Sequence, residues 1–247
     1  MKATPIEFRF RFLIHFVLFL LGFTAPWDYY LNWDSIRTWQ YLAAWPSRNG
    51  WLTFSNATIL VLILAIFFAF LAALLRTWAT AYLSPAVVQD RAMHGDQVVA
   101  AGPYRHLRNP LYLGIIFHTF ALAILMPPTG AIFTILTVAI FQLRLIAAEE
   151  SFLTQKLGDP YRAYCAKVPR LLPSLTPRTE PSTQQPHWPQ AFLGEIYMWG
   201  VVLTFAIFGW RYNSSLLTKG VLISLGISLV VRGLMLGDRS KAKNPAT

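Results

Sequence analysis

Long apolar runs separated by short polar inserts dominate this chain. Five runs approach the length that ~30 Å of hydrocarbon demands of a helix: roughly residues 8–23, 56–75, 111–127, 131–147 and 192–210. A sixth, weaker run covers about 220–236. The pattern predicts an all-α integral membrane protein of about six transmembrane helices. The first run starts close to Met1, and no small-residue cleavage site clearly follows it, so it reads as a retained helix rather than a signal peptide. Met126-Pro127-Pro128-Thr129-Gly130 predicts the turn that folds the third and fourth runs into an antiparallel pair, because consecutive prolines remove donors and glycine permits positive φ. The polar inserts have their own character. Pro26 to Trp51 is an aromatic-rich outer loop whose tryptophans at 27, 33, 39, 45 and 51 suit an interfacial belt. Residues 84–101 form a polar inner segment with Asp90, Arg91, His94 and Asp96, and 176–189 reads as a Pro/Ser/Gln-rich linker. The organisation is thus 1–75, N-terminal spans and outer loop; 76–175, a core built on the helical hairpin; and 176–247, a linker and a final helical pair that reads as a separable accessory hairpin.

Composition agrees with the bilayer as main solvent: the hydrophobic set makes up 55% of the chain and charged residues only 13%. The net charge of +10 reports topology first. With six spans and the N-terminus inside, 17 of the 21 lysines and arginines fall on the inner side, leaving Arg37, Arg48, Arg211 and Lys219 outside. The positive-inside rule then puts both termini and both polar motifs on the cytoplasmic face, as in a bacterial inner-membrane protein. No groove-reading or base-stacking module accompanies the basic residues, which argues against a nucleic-acid partner. A single Cys165 excludes an intramolecular disulfide and reads as small filler in a short helix.

Chemistry concentrates in two stretches: GPYRHLRNPLYLG, Gly102 to Gly114, and, after an apolar run ending at Arg144, Glu149-Glu150-Ser151-Phe152-Leu153 followed by DPYRAYCAKVPRLLP. Polar groups at a membrane boundary are unfavourable unless function retains them. Counted from the predicted turn, Arg108 and Glu149 each lie about twenty residues away, so at ~1.5 Å per residue they share one depth at the open end of the hairpin. Arg105, Arg108 and Arg144 set against Glu149 and Glu150 can hold a zwitterionic small molecule, guanidinium to carboxylate and carboxylate to ammonium; the same residues also read as interfacial ion pairs. Tyr104, Tyr112, Tyr161 and Tyr164 offer flat faces for an aromatic ring or a sulfonium, or act as interface anchors. Arg76 beside Trp78 reads as a snorkelling arginine at an interface. His118 lacks ligand-spaced partners and reads as a hydrogen-bonded core histidine, with no metal implied. Glu195 is an interfacial carboxylate or a residue facing the site.

Together the two stretches resemble the isoprenylcysteine carboxyl methyltransferase family and its bacterial relatives, which share a broader pattern with the phospholipid methyltransferases. The resemblance covers about Arg76 to Pro173. In that family an Arg-His/Asn-Pro-x-Tyr stretch and a Glu-Glu-x-x-Leu stretch close over S-adenosylmethionine, here Arg108-Asn109-Pro110-Leu111-Tyr112 and Glu149-Glu150-Ser151-Phe152-Leu153; Arg76-Thr77-Trp78 resembles its Arg-x-Trp-Ala position. The resemblance implies an S-adenosylmethionine-dependent methyltransferase acting on a lipophilic small-molecule or lipid substrate. It implies Arg108, Tyr112 and Glu150 as catalytic residues. Gly102, Pro103, Tyr104, His106, Asn109, Pro110, Leu113, Glu149 and Glu150 would be cofactor-binding, with Tyr161, Arg170 and Pro173 forming a lid. A carboxylate acceptor needs no base, whereas an amine acceptor needs a glutamate to take its proton. Three other readings stand beside it: a phospholipid N-methyltransferase, an NADPH-dependent enzyme of sterol-reductase type, which shares the arginine-to-tyrosine pattern but not the Glu-Glu stretch, and a non-enzymatic membrane scaffold.

Overall fold

The computed structural model describes residues 2–24, 29, 36–83, 93, 98–180 and 184–243, with side chains to 234. Trp27, Trp33, Asp90, Arg91, His94 and Asp96 lie outside the described residues. Within them the protein is an all-α membrane protein without strands. Its helices are α1 Pro5–Arg9, α2 Arg11–Phe23, α3 Thr38–Arg48, α4 Phe54–Leu83, α5 Pro110–Ala123, α6 Pro128–Leu157, α7 Asp159–Lys167, α8 Trp188–Gly194, α9 Ile196–Phe208 and α10 Ser214–Lys243. Helices α4, α6 and the Ser214–Leu234 part of α10 are long and apolar enough to cross a membrane, and α8 with α9 makes a fourth if the pair is one bent span. Two of the six expected spans are shorter. Helices α2 and α5 have 13 and 14 residues, ~20 Å each, well under the hydrocarbon thickness.

Local chemistry explains the breaks. Helix α1 begins with a capping box: the Glu7 N–H donates to Thr4 Oγ1 at 3.2 Å, the Thr4 N–H donates to the Glu7 carboxylate at 2.6 Å, and Pro5 fills the first turn. Pro110 opens α5 and Pro128 opens α6 for the same reason, their missing N–H being one that a first turn leaves free anyway. The expected turn at 126–130 is therefore shorter and earlier, since Pro128 starts a helix instead of interrupting one. Its carbonyls are covered by α3: the Thr38 N–H and Oγ1 both donate to the Met126 carbonyl, at 2.9 and 2.8 Å, and the Trp39 N–H donates to Ile124 at 3.0 Å. The part of the tryptophan-rich insert that is described is thus largely helical. Gly158, at φ 62°, ends α6 with a backbone conformation that L side chains avoid, and Asp159-Pro160 starts α7.

Packing runs through α4, whose buried Ala65, Ala69, Ala72, Ala73 and Ala79 let α5 and α9 approach closely. Helix α2 packs on α6, which packs in turn on α5, while α9 packs on α10. One core cluster joins Ala65, Ala69 and Ala73 of α4, Ala121 and Leu122 of α5, Met198, Val201 and Phe205 of α9, and Leu217 and Val221 of α10. The final helical pair thus shares its core cluster with α4 and α5. The linker is also held: the His187 N–H donates to the Ala81 carbonyl at 2.8 Å and Gln184 Nε2 to that of Tyr82 at 2.5 Å.

Candidate active site

The chain leaves Ala101 through Gly102, whose φ of 53° suits glycine and whose missing Cβ makes room for the Tyr82 ring. A 3₁₀ turn, Gly102–Arg105, follows. From there the chain runs beside the segment after α7: Arg108 N–H donates to the Pro169 carbonyl at 2.9 Å, Ser174 N–H to His106 at 2.9 Å and Arg178 N–H to Arg105 at 2.8 Å. Side chains add to this seam. Tyr164 Oη donates to the Tyr104 carbonyl at 2.7 Å, His106 Nδ1 to that of Ser174 at 2.8 Å and Arg105 Nε to that of Thr179 at 3.0 Å. Arg105 and His106 are thereby engaged in joining the two motif stretches.

Asn109 sits where a helix N-cap side chain would bond the first turn of α5, yet it makes no such bond. Its amide instead donates to Glu150 Oε1 at 3.0 Å and to the Arg170 carbonyl at 3.1 Å. The other Glu150 oxygen receives Arg170 Nε and a terminal Arg170 nitrogen at 3.0 and 2.7 Å, and Arg108 stands 3.5 Å from Oε1. Buried Glu150 thus ties α6, the start of α5 and the segment after α7 into one knot.

Beside this knot lies a cavity of about 700 Å³, within the range of small-molecule sites. Of the residues expected at the site, Tyr104, Arg108, Asn109, Pro110, Tyr112, Glu149, Tyr161 and Tyr164 line it. Gly102, Pro103, His106, Leu113, Glu150, Arg170 and Pro173 do not. Tyr112 Oη donates to Glu149 Oε2 at 2.6 Å, and no other hydrogen bond reaches Glu149's side chain among the described residues. Among the described residues Tyr104 Oη and Arg108 Nε are buried without a hydrogen-bond partner, which leaves two donors free of the described protein groups. Burial raises the phenol pKa values of Tyr104, Tyr161 and Tyr164, keeping them neutral at ordinary pH.

A second polar group also lines the cavity. Arg76 donates to Glu195 through Nε at 2.7 Å and a terminal nitrogen at 2.8 Å, and Thr80 Oγ1 donates to the same carboxylate at 3.0 Å. Arg76 is buried and does not snorkel. Its aliphatic stem passes over Gly114, where a Cβ would stand 2.5 Å from Cγ. Glu195 occupies the 66° break between α8 and α9, where the predicted continuous span bends. His118 bonds Tyr197 Oη at 3.0 Å, the buried hydrogen-bonded histidine expected. Contrary to the sequence expectation, Arg144 does not join Glu149 and Glu150: it reaches Glu7 of α1, both carboxylate oxygens at 2.8 Å, and is not among the cavity-lining residues.

The remaining walls come from regions that the motifs do not cover. Phe8, Arg11, Phe12, His15 and Phe16 at the N-terminus, Gln142 of α6, and Leu222, Leu225, Leu229 and Arg232 of α10 all line the cavity. The signal for His15, Gln142 and Arg232 was present in the sequence, as ionisable or amide side chains inside apolar runs.

Residues 57–159 match the model of the phospholipid methyltransferase family. No curated protein and no solved structure matches the chain. The matched stretch contains Arg76, the Arg108–Tyr112 turn and the Glu149-Glu150 pair. It stops short of Arg170 and Glu195, and it begins after α1 to α3.

Proposed function

We propose that this chain is an S-adenosylmethionine-dependent methyltransferase acting on a lipophilic acceptor at the cytoplasmic face of a bacterial inner membrane. One observation carries the reading: Arg108, Asn109 and Tyr112 from one motif and Glu149 from the other line a single cavity, although some forty residues of chain separate them. The match to the phospholipid methyltransferase model is similar in direction.

The residues present suit such a cofactor. A carboxylate, a guanidinium with an unpartnered Nε and a phenol with an unpartnered hydroxyl complement an ammonium, a carboxylate and a ring system. Glu149 would engage the ammonium, Arg108 a carboxylate, and Tyr104, Tyr161 and Tyr164 the flat or cationic parts. When bound, the sulfonium supplies a methyl group on a leaving group that needs no protonation. The chain's own contribution is then positioning and exclusion of water. Glu150, held by Asn109, Arg108 and Arg170, fixes the Arg108–Tyr112 turn against α6 and acts through it. The phenylalanines and leucines of α2 and α10 line the same cavity and suit the apolar part of the acceptor.

Carboxylate O-methylation follows from the first resemblance and N-methylation of a phospholipid from the family match. Purified protein in detergent should bind labelled S-adenosylmethionine and not NADPH, and should pass the labelled methyl group to a component of a bacterial lipid extract. Mass spectrometry of that product names the acceptor atom. Binding of NADPH alone would overturn the assignment, and binding of neither cofactor would favour a scaffold.

A further inference from the structure

The cavity lining holds a second set of polar atoms that the proposed roles leave unused. Gln142 of α6 is fully buried, lines the cavity, and among the described residues has no regular hydrogen-bond partner at either Nε2 or Oε1. His15 of α2 lines it too, and its Nε2 is likewise buried and unpartnered. The two side chains lie near each other, close enough to interact although no hydrogen bond of regular geometry joins them, and the His15 ring stacks obliquely on Phe141 at 5.1 Å. Buried amides and imidazoles in folded proteins almost always find partners, so two neighbouring side chains beside one cavity that share no regular hydrogen bond mark a place where a ligand group could bridge them.

The hydrogen-bonding sense of that place can be worked out. His15 Nδ1 is 2.6 Å from the Arg11 carbonyl. A carbonyl only accepts, so Nδ1 carries the hydrogen and Nε2 keeps a bare lone pair on the side of Gln142. Gln142 contributes an NH₂ donor and a carbonyl acceptor beside it. The complement is a group with at least one hydrogen to give and a lone pair to receive with: a hydroxyl or an amine. A carboxylate offers His15 nothing but repulsion between lone pairs, and a quaternary ammonium has no hydrogen to donate.

We infer that His15 and Gln142 form a specificity subsite for an O–H or N–H group of the acceptor lipid. The subsite lies seven residues, two turns or ~10 Å, along α6 from Glu149, on the face that lines the same cavity. It deepens the proposed methyl transfer by giving the acceptor's chemistry. Half of it comes from α2, outside the residues that match the family model, so it is a property of this chain rather than of the shared pattern.

The test uses full-length protein in detergent micelles doped with phosphatidylethanolamine, phosphatidylcholine or diacylglycerol. Phosphatidylethanolamine and diacylglycerol should raise the melting temperature, whereas phosphatidylcholine, which lacks the donor hydrogen, should not. Gln142→Leu and His15→Phe should remove that preference and weaken binding of the donor-bearing lipids about tenfold, the loss of one hydrogen bond. Without lipid, Gln142→Leu should melt at or above the wild-type temperature, because it removes an unbonded buried amide. Equal stabilisation by all three lipids overturns the inference, and so does a clear drop in the lipid-free melting temperature of both Gln142→Leu and Gln142→Met, which would show the amide bonded within the fold. Failure of the wild type to bind S-adenosylmethionine would sink the methyltransferase reading while leaving these lipid readouts in place.

Discussion

Glu149 and Glu150 are neighbours in sequence and opposite in circumstance. Successive residues on a helix point ~100° apart, and here that turn separates two regions. Around Glu150 every oxygen is taken, by Asn109, Arg108 and Arg170. Around Glu149 a single phenol supplies the one hydrogen bond found among the described residues, within which Tyr104, Arg108 and Gln142, all lining the same cavity, keep polar atoms without a regular partner. The Arg76–Glu195 pair belongs with the first region by its satisfied geometry, although it lines the cavity. The difference separates roles: a closed polar network specifies the fold, while an open one at a cavity is kept for a ligand.

The strongest challenge to that division is Glu195→Ala. Side-chain exposures of 9% and 4% make Arg76 and Glu195 a buried pair, and removing one partner leaves an uncompensated charge worth about 3–5 kcal/mol of stability. Thermal and denaturant unfolding in detergent measure it; a loss below about 1 kcal/mol would mean that water reaches the pair. Next comes Glu150→Gln, which keeps the shape but removes the charge facing Arg108 and Arg170. A loss of about 2 kcal/mol is expected, with cofactor affinity falling because the Arg108–Tyr112 turn is no longer fixed. Glu149→Gln should behave in the opposite way: stability changes by under about 1 kcal/mol, while S-adenosylmethionine binding falls about tenfold or more, through loss of a charge-assisted hydrogen bond. If the two substitutions gave the same profile, the contrast between the neighbours would be lost.

The motif half of the site was legible in the sequence, and its other half was not. Charged residues at the ends of apolar runs, read with the hairpin turn, put Arg108 and Glu149 at one depth, and the Asn109–Glu150 and Tyr112–Glu149 bonds agree. Spacing along the hairpin could not tell which glutamate faces inward, because the answer depends on Asn109 leaving its capping position for Glu150. Arg144 misled for a related reason. Its nearest acid in the sequence is Glu149, but its partner Glu7 is brought in by α1, which a reading of α6 alone cannot place. The apolar runs gave the helices while overstating their length: α2 and α5 are short, and α8–α9 breaks at Glu195, because hydropathy alone does not register where a helix starts, stops or bends.

The Glu7–Arg144 pair supplies the mildest test and the contrasting case for Arg76–Glu195. Its side chains are 22% and 29% exposed, so water screens the pair and under about 1 kcal/mol is expected from it. The Glu7 carboxyl is held below its ordinary pKa, first by the Thr4 backbone N–H and then by Arg144. A carboxylate whose folded pKa is depressed contributes stability in full above its unfolded value and loses that contribution as pH falls through the folded one. Wild type and Glu7→Gln should therefore differ slightly at neutral pH and converge as pH drops below the ordinary carboxylate range. Just ahead of α1 the Ala3 N–H donates to the Arg144 carbonyl at 3.0 Å, so local hydrogen exchange at Ala3 should follow the same pH course. A difference that persists into strong acid would assign the effect to the capping box instead of the charge.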